Sequence, residues 1–325
     1  MNRLFSAALV ALALVSCDGA DSGAKRTGAA GGALQGSLAG RHVVLLVLDS
    51  LHAAHLSSYG CERPTSPHID RIAANGVRFA DTHSQTSWTL SSAISILTSV
   101  PQEEHGVKYV EDVLTEEFEL LPTLFADAGY RTAALSQNGC VRPVVGLGRA
   151  SDSFKMFPRG EEGTRAMFDR ILELIEGKPE EGSSPAFVYA HVLPPHMPYF
   201  PPEGHAGLFS DPNYEGPVDG DFMACLELTR NKTPVDHPDA IQLVALYDEY
   251  IHWIDEEVGR FRAELASRFG EDSFAIVLTS DHGEAFQQHG KQGHNADVYQ
   301  EMVHVPLVFE APNSDLQPHV SAEPV

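Results

Sequence analysis

HVVLLVLD, residues 42–49, decides the fold: six consecutive apolar residues closed by a carboxylate. An apolar run without polar alternation reads as a strand covered on both faces, as in a parallel sheet packed between helices. Working outward, similar apolar strands are expected at residues 132–135, 186–192, 274–278 and 305–309. Helical patterns fall between them. Residues 65–76 read as a helix with Ser66 as its cap, Pro67 in the first turn, Ile69, Ile72 and Ala73 facing inward, and Gly76 as its stop. Further helices are expected at 120–128 and 166–175. Between 239 and 268, Ile241, Val244, Ile251, Ile254, Val258, Phe261 and Leu265 recur at helical spacing, which predicts a long amphipathic helix in which Asp255 holds structure. Residues 203–237 have no clear period and read as surface cover. The alternation predicts an α/β fold, a largely parallel sheet sandwiched by helices.

In an open α/β sheet, ligands bind outside the carboxyl ends of the strands. Asp49, His191 and the Asp281/His282 pair all stand at or just beyond predicted strand ends, so they are expected to converge. Acidic groups and imidazoles together make a site for a hard or borderline cation. The stretch TSWTLSS, residues 86–92, adds a hydroxyl. Thr89 precedes the apolar residues Leu90, Ala93, Ile94, Ile96 and Leu97, which makes it the expected N-cap of a short helix. A helix N-terminus presents unpaired N–H groups and a partial positive charge, so a nucleophile there meets an oxyanion, sulfate or phosphate under favourable electrostatics.

The 325 residues are 43% hydrophobic, enough for a substantial core. A formal charge of -23 argues against binding nucleic acid or anionic membrane through charge alone. It also repels an anionic ester, so a metal or a local basic cluster must offset it, and 16 histidines can supply one. Residues 1–17 read as an export signal: Asn2 and Arg3, an apolar run from 4 to 15, then Ser16 and Cys17. That run is short for a membrane span, which takes about 20 apolar residues. LVSC, residues 14–17, resembles the bacterial lipoprotein cleavage box, which implies that Cys17 carries lipid and that the protein is anchored in the bacterial envelope, on its extracytoplasmic face. Residues 18–40, rich in Gly, Ala and Ser, read as a flexible linker before a domain at 41–325. Cys61, Cys140 and Cys225 then remain, and three cysteines cannot all pair within one chain.

Residues 49–107, DSLHAAHLSSYGCERPTSPHIDRIAANGVRFADTHSQTSWTLSSAISILTSVPQEEHGV, resemble the N-terminal half of the sulfatase family of the alkaline phosphatase superfamily. HVLPPHMPYFPP, YDEYIHWIDEEVGRF and TSDHGEAFQQHGKQGH follow in the family's order, so the resemblance extends over residues 41–312. It implies that Asp49, Asp281 and His282 bind one divalent metal ion together with the hydroxyl of Thr89, which occupies the nucleophile position. It also implies that His191 and His294 take part in catalysis, and that His196 and Lys291 contact the anionic ester. Among Mn, Zn, Ca and Mg, a carboxylate, imidazole and hydroxyl set suits Mn or Zn better than Ca.

The sequence also departs from the family's pattern. A formylglycine sulfatase carries Cys or Ser at the nucleophile, followed by Pro and Arg, where this chain has Thr89, Ser91 and Ala93, so that modification is not expected. The family's Lys and His pair near residue 136 is replaced by LSQNGCVRP. Thr at the nucleophile resembles the branch containing lipoteichoic acid synthase and phosphoethanolamine transferases, which implies transfer of a phosphoryl-linked group to water or an alcohol. Even there, Ser91, Ala93 and Ser99 replace Pro, His and Gly, and a loosened helix start is expected. Family members continue into a further helix and small sheet where this chain stops at Val325, so the catalytic domain reads as C-terminally incomplete. Two functions follow: a metal-dependent hydrolase or transferase of sulfate or phosphate esters, or a lipoprotein that keeps the fold as a binding module without chemistry.

Overall fold

Residues 40–149, 151–177, 184–294 and 297–325 are described by a computed structural model. The expected signal at 1–17, the lipid-bearing Cys17 and the linker up to residue 39 lie outside the described residues. The central strand β1 (His42–Leu48) forms as its sequence dictates. Its side chains alternate between two cores: Val44, Leu46 and Leu48 join one, while Val43, Leu45 and Val47 join the other. Both faces of the strand are therefore dry, which is why no polar residue interrupts it.

The other strands are β2 (Val77–Phe79), β3 (Arg131–Ser136), β4 (Ser153–Met156), β5 (Ala186–Val192), β6 (Phe274–Thr279), β7 (Ala285–Phe286), β8 (Gln292–Gly293), β9 (Leu307–Glu310) and β10 (His319–Ser321). An eight-stranded sheet has the order β10-β2-β9-β6-β1-β5-β3-β4, and β7 pairs with β8 apart from it. β1 runs parallel to β5 and β6, and β3 parallel to β5 and β4. β9 is antiparallel to both β6 and β2, so the sheet is mostly parallel. The register draws one row across four strands: Ser136 pairs with His191, His191 with Val47, and Val47 with Thr279. Asn138, Asp49, Asp281 and His282 lie two or three residues past that row, so the hydrogen-bonded ladder itself gathers them.

Helices cover both faces: α1 (Pro67–Asn75), α2 (Thr89–Thr98), α3 (Gln102–His105), α4 (Leu121–Asp127), α5 (Glu161–Glu176), α6 (Phe222–Arg230), α7 (Pro238–Phe269) and α8 (Gln300–Val303). α1, α5 and α7 pack on one side with Trp253, Phe168 and Phe261 buried between them; α2 and α4 pack on the other with Ile94 and Phe125. The long amphipathic helix is α7, 32 residues that start with Pro238 in the first turn and stop before Gly270, whose φ of 88° no L-residue readily adopts. The stretch 203–237 contains α6, capped by Asp221, whose side chain accepts from Ala224 N at 2.8 Å. Its Phe222 and Met223 face solvent, which masked the helical period.

Two expected caps differ. Ser66 sits at the N-cap of α1, but its hydroxyl donates to Asp70 Oδ1 and accepts from Ser57 N. The first N–H groups of α1 are taken instead by Asp255 of α7, whose oxygens accept from His68 N at 2.9 Å and Ile69 N at 2.7 Å. Thr89 is the first helical residue of α2 and Trp88 is the N-cap; no side chain caps this helix. The start of α2 is not loosened: residues from Thr89 to Leu97 are buried, and Ser91 Oγ accepts from Gln102 Nε2 at 2.9 Å. Ser99 closes the helix at φ 57°, a left-handed conformation that favours glycine.

Candidate active site

β1 ends in Asp49, fully buried, and the next residue turns sharply: Ser50 has φ 61°. That turn is tied down from three sides. Ser50 N donates to Asp281 Oδ1 at 3.1 Å, Ser50 Oγ donates to Asp49 Oδ1 at 3.1 Å, and the Tyr247 hydroxyl of α7 donates to Ser50 O at 2.7 Å while accepting from His52 N. The loop after β6 is fixed similarly, with Ser280 Oγ donating to His282 O and Ser92 Oγ of α2 donating to Asp281 O at 2.5 Å. Four elements therefore position the two carboxylates: β1, β6, α2 and α7.

Around them stand imidazoles. His191 Nε2 donates to Asp49 Oδ2 at 3.1 Å, and its other ring nitrogen meets the Tyr189 hydroxyl at 2.8 Å. His282 Nδ1 donates to Gly283 O at 2.9 Å, which leaves Nε2 as the acceptor for the Thr89 hydroxyl at 3.1 Å. His294 Nδ1 donates to Glu284 Oε1 at 3.0 Å, its ring 4.2 Å from that of His282 and 5.1 Å from that of His196. His196 Nδ1 donates to Met197 O at 2.6 Å.

Charges are set by this crowding. Burial opposes ionisation of Asp49, but His196, His191 and His282 outweigh it and hold the carboxyl below the usual range. Burial and the Asp49 charge push Asp281 up to about 6. Burial, helped by His294, lowers His282 to about 3, so its ring is neutral. Burial also works against a charged His294, yet Glu284, Asp49 and Asp281 together raise it to about 9. The result is a buried pair of acids faced by the neutral, ligand-type imidazole of His282, the cationic His294, and His191, which its bond to Asp49 and the charges of both acids raise against its burial.

One ligand atom from each of Asp49, Asp281 and His282 lies within 4.8 Å of the others. Asp281 Oδ2 is the telling atom: it is buried and accepts no hydrogen bond among the described residues, with the nearest imidazole nitrogens at 3.4 and 3.7 Å. A buried, unmatched carboxylate oxygen beside a second carboxylate is costly without a cation. The donor set of two carboxylates, an imidazole and a hydroxyl fits a divalent metal.

Of the residues expected from the sequence, Asp49, Thr89, His191, His282 and Asp281 meet directly, with the His294 ring tilted against His282 and His196 edge-on to His294. Lys291 is not brought in: its ammonium is paired with Asp297 at 2.8 Å, and its side chain is 40% exposed. Two residues went unread. Asn138 Nδ2 donates to Asp49 Oδ2 at 2.5 Å, and Glu284 orients His294 while accepting from the Tyr199 hydroxyl at 3.0 Å. Asn138 follows a predicted strand at the same sheet edge, a signal available in the sequence but noticed only as a missing Lys and His.

The family model described as Sulfatase matches residues 41–325. The chain is 23% identical over 313 residues to an arylsulfatase of Clostridium perfringens, covering 76% of this chain and 64% of that protein, so it spans less than two thirds of that relative. Among solved structures, it is similar in fold to a phosphonate monoester hydrolase of Agrobacterium radiobacter, with a TM-score of 0.65, 19% identity, and coverage of 87% of this chain and 70% of the other. It is also similar to the zinc complex of the C-terminal periplasmic domain of EcEptC from Escherichia coli, with a TM-score of 0.62, 18% identity, and coverage of 84% and 73%. Among the described residues no helix is long and apolar enough to cross a membrane.

Proposed function

This chain belongs to the sulfatase family, and from that premise we propose that it cleaves an anionic sulfate or phosphate ester in the bacterial envelope with Thr89 as nucleophile. The observation that carries the proposal is the Thr89 hydroxyl itself, first residue of an uncapped helix and 3.1 Å from His282 Nε2 beside the buried acids. An anchor at Cys17 holds the protein at the extracytoplasmic face in this reading. Asp49, Asp281, His282 and the Thr89 hydroxyl would hold a divalent metal. When bound, such an ion would supply positive charge that neutralises the anion and would lower the pKa of the hydroxyl.

The chain's own groups do the rest. The single lone pair of His282 Nε2 accepts the Thr89 hydroxyl proton in this structure and would turn to the metal when one is bound, the Thr89 proton then leaving to water, and the start of α2 turns its N–H groups toward the anion. A bond forms from Thr89 Oγ1 to sulfur or phosphorus while the bond to the ester oxygen breaks. His294, cationic and oriented by Glu284, gives its Nε2 proton to that leaving oxygen. Water or an acceptor alcohol then gives a proton back to His294 and takes the group from Thr89, which leaves as the alkoxide it was before attack. His191 and Asn138 both donate to Asp49 Oδ2 and hold that carboxylate in place. His196 meets the His294 ring edge-on and lines the approach for the anion.

The test is turnover of an aryl sulfate and an aryl phosphodiester, each with Mn, Zn, Ca or Mg supplied, by the wild type and Thr89→Ala. Phosphodiester cleavage lost by about 10³-fold or more in the variant establishes Thr89 and phosphoryl transfer. Sulfate cleavage lost to the same extent establishes a sulfatase working through a threonine. Turnover that survives in the variant removes Thr89 from the mechanism, and a folded wild type inert toward both esters leaves a binding module.

A further inference from the structure

α7 carries a second cluster that shares no residue with the active site. His252 and Glu256 stand one helical turn apart on α7, so their side chains lie on one face. His205, from the segment that follows β5, reaches that face: its Nε2 is 3.1 Å from Glu256 Oε2, and its ring lies 5.5 Å from that of His252. One ligand atom from each of the three falls within 4.8 Å of the others. We propose that His205, His252 and Glu256 form a second metal site, for a zinc-type divalent ion, that fastens this segment to α7.

Chemistry and preorganisation both favour that ion. Two imidazoles and one carboxylate are borderline-soft donors that suit zinc, cobalt or nickel, whereas calcium and magnesium select all-oxygen cages. Three protein ligands leave a fourth position for water. The Nδ1 atoms of both histidines are buried and have no hydrogen-bond partner among the described residues, while Glu256 already faces His205 Nε2. A cation between the rings would satisfy a buried nitrogen that the protein leaves unmatched. The segment is already held one turn earlier along α7, where Glu249 Oε1 accepts from Phe209 N, Ser210 N and Ser210 Oγ, each at 2.8 Å. His205 is thus presented to α7 without the ion, and little ordering remains to oppose binding. The Glu256 side chain is 51% exposed, which leaves an entry path.

The segment starts just after His196 and Tyr199, so a cation here stiffens the chain that leaves the active site. The experiment is zinc titration of the full chain against a chromophoric chelator, in the wild type, Asp281→Asn, His252→Ala, His205→Ala, and the double variant Asp281→Asn with His252→Ala. Asp281→Asn is expected to keep a zinc ion that the double variant loses by about 10²-fold in affinity. Cobalt bound to Asp281→Asn should give a visible d–d band that disappears with His205→Ala, and excess calcium should not displace it. His205→Ala lies on a loop and guards against a folding artefact at the helical position. Zinc affinity unchanged in both histidine variants, or zinc lost entirely with Asp281→Asn alone, overturns the proposal. Zinc lost with His252→Ala but untouched by Asp281→Asn would support this site while counting against a metal in the active site.

Discussion

Asp255 and Asp281 are both completely buried aspartates, and burial raises both, to about 7 and about 6. Their surroundings separate them. Each oxygen of Asp255 accepts a backbone N–H from the start of α1, so the protein satisfies it with its own atoms. Asp281 spends Oδ1 on Ser50 N and His282 N, while Oδ2 accepts no hydrogen bond among the described residues. One carboxylate closes a helix end; the other is left for something the chain does not supply. A buried acid is therefore not diagnostic of function, but a buried acid with an unmatched oxygen beside a second acid is.

The largest break in this comparison should come from Asp281→Asn, which removes a charge that nothing else in the protein replaces. Turnover is expected to fall by about 10³-fold or more, and raising the metal concentration should restore it only partly. Wild-type turnover in that variant would place Asp281 in the same structural class as Asp255. Asp255→Ala should do the reverse, leaving metal-dependent turnover per folded molecule intact while costing about 2–4 kcal/mol of stability, because two buried N–H groups lose their acceptor. Denaturant midpoints measure that cost, and an unchanged midpoint would remove the capping role.

A smaller effect should sharpen the comparison from the metal side. Asn138→Ala deletes the 2.5 Å hydrogen bond to Asp49 Oδ2, and apparent metal affinity in the turnover assay should fall by about 10–100-fold. The smallest test uses pH. Because the folded chain keeps the Asp255 proton from the ordinary value of 3.8 up to about 7, where the unfolded chain has released it, this group makes stability fall as pH rises through that window. Asp255→Asn should flatten that part of the melting-temperature profile; an identical profile would mean that Asp255 titrates as an ordinary carboxyl.

Much of the site was legible because strands announce their ends. The apolar runs at 42–48, 186–192 and 274–278 locate Asp49, His191, Asp281 and His282, and parallel strands put chemistry at one edge. Thr89 was legible as a residue but not in its bonding: its sequence context predicts a cap, and its hydroxyl points to His282 across 193 residues of chain. Lys291 was legible as a basic residue but not in its pairing, since an ammonium on a flexible stem goes to the nearest acid, here Asp297.

By itself, then, the sequence determined the α/β alternation, the long helix, the family and the strand-end acids and imidazoles, because period and motif are properties of neighbouring residues. The tertiary structure alone decided what each group meets. The register row from Ser136 to Thr279 aligns the strand ends, Asp255 rather than Ser66 closes α1, Asn138 steadies Asp49, and His205 arrives against His252 and Glu256. Those partners are separated by tens to hundreds of residues, and only the packing of sheet and helices sets the distances on which hydrogen bonds and ligation depend.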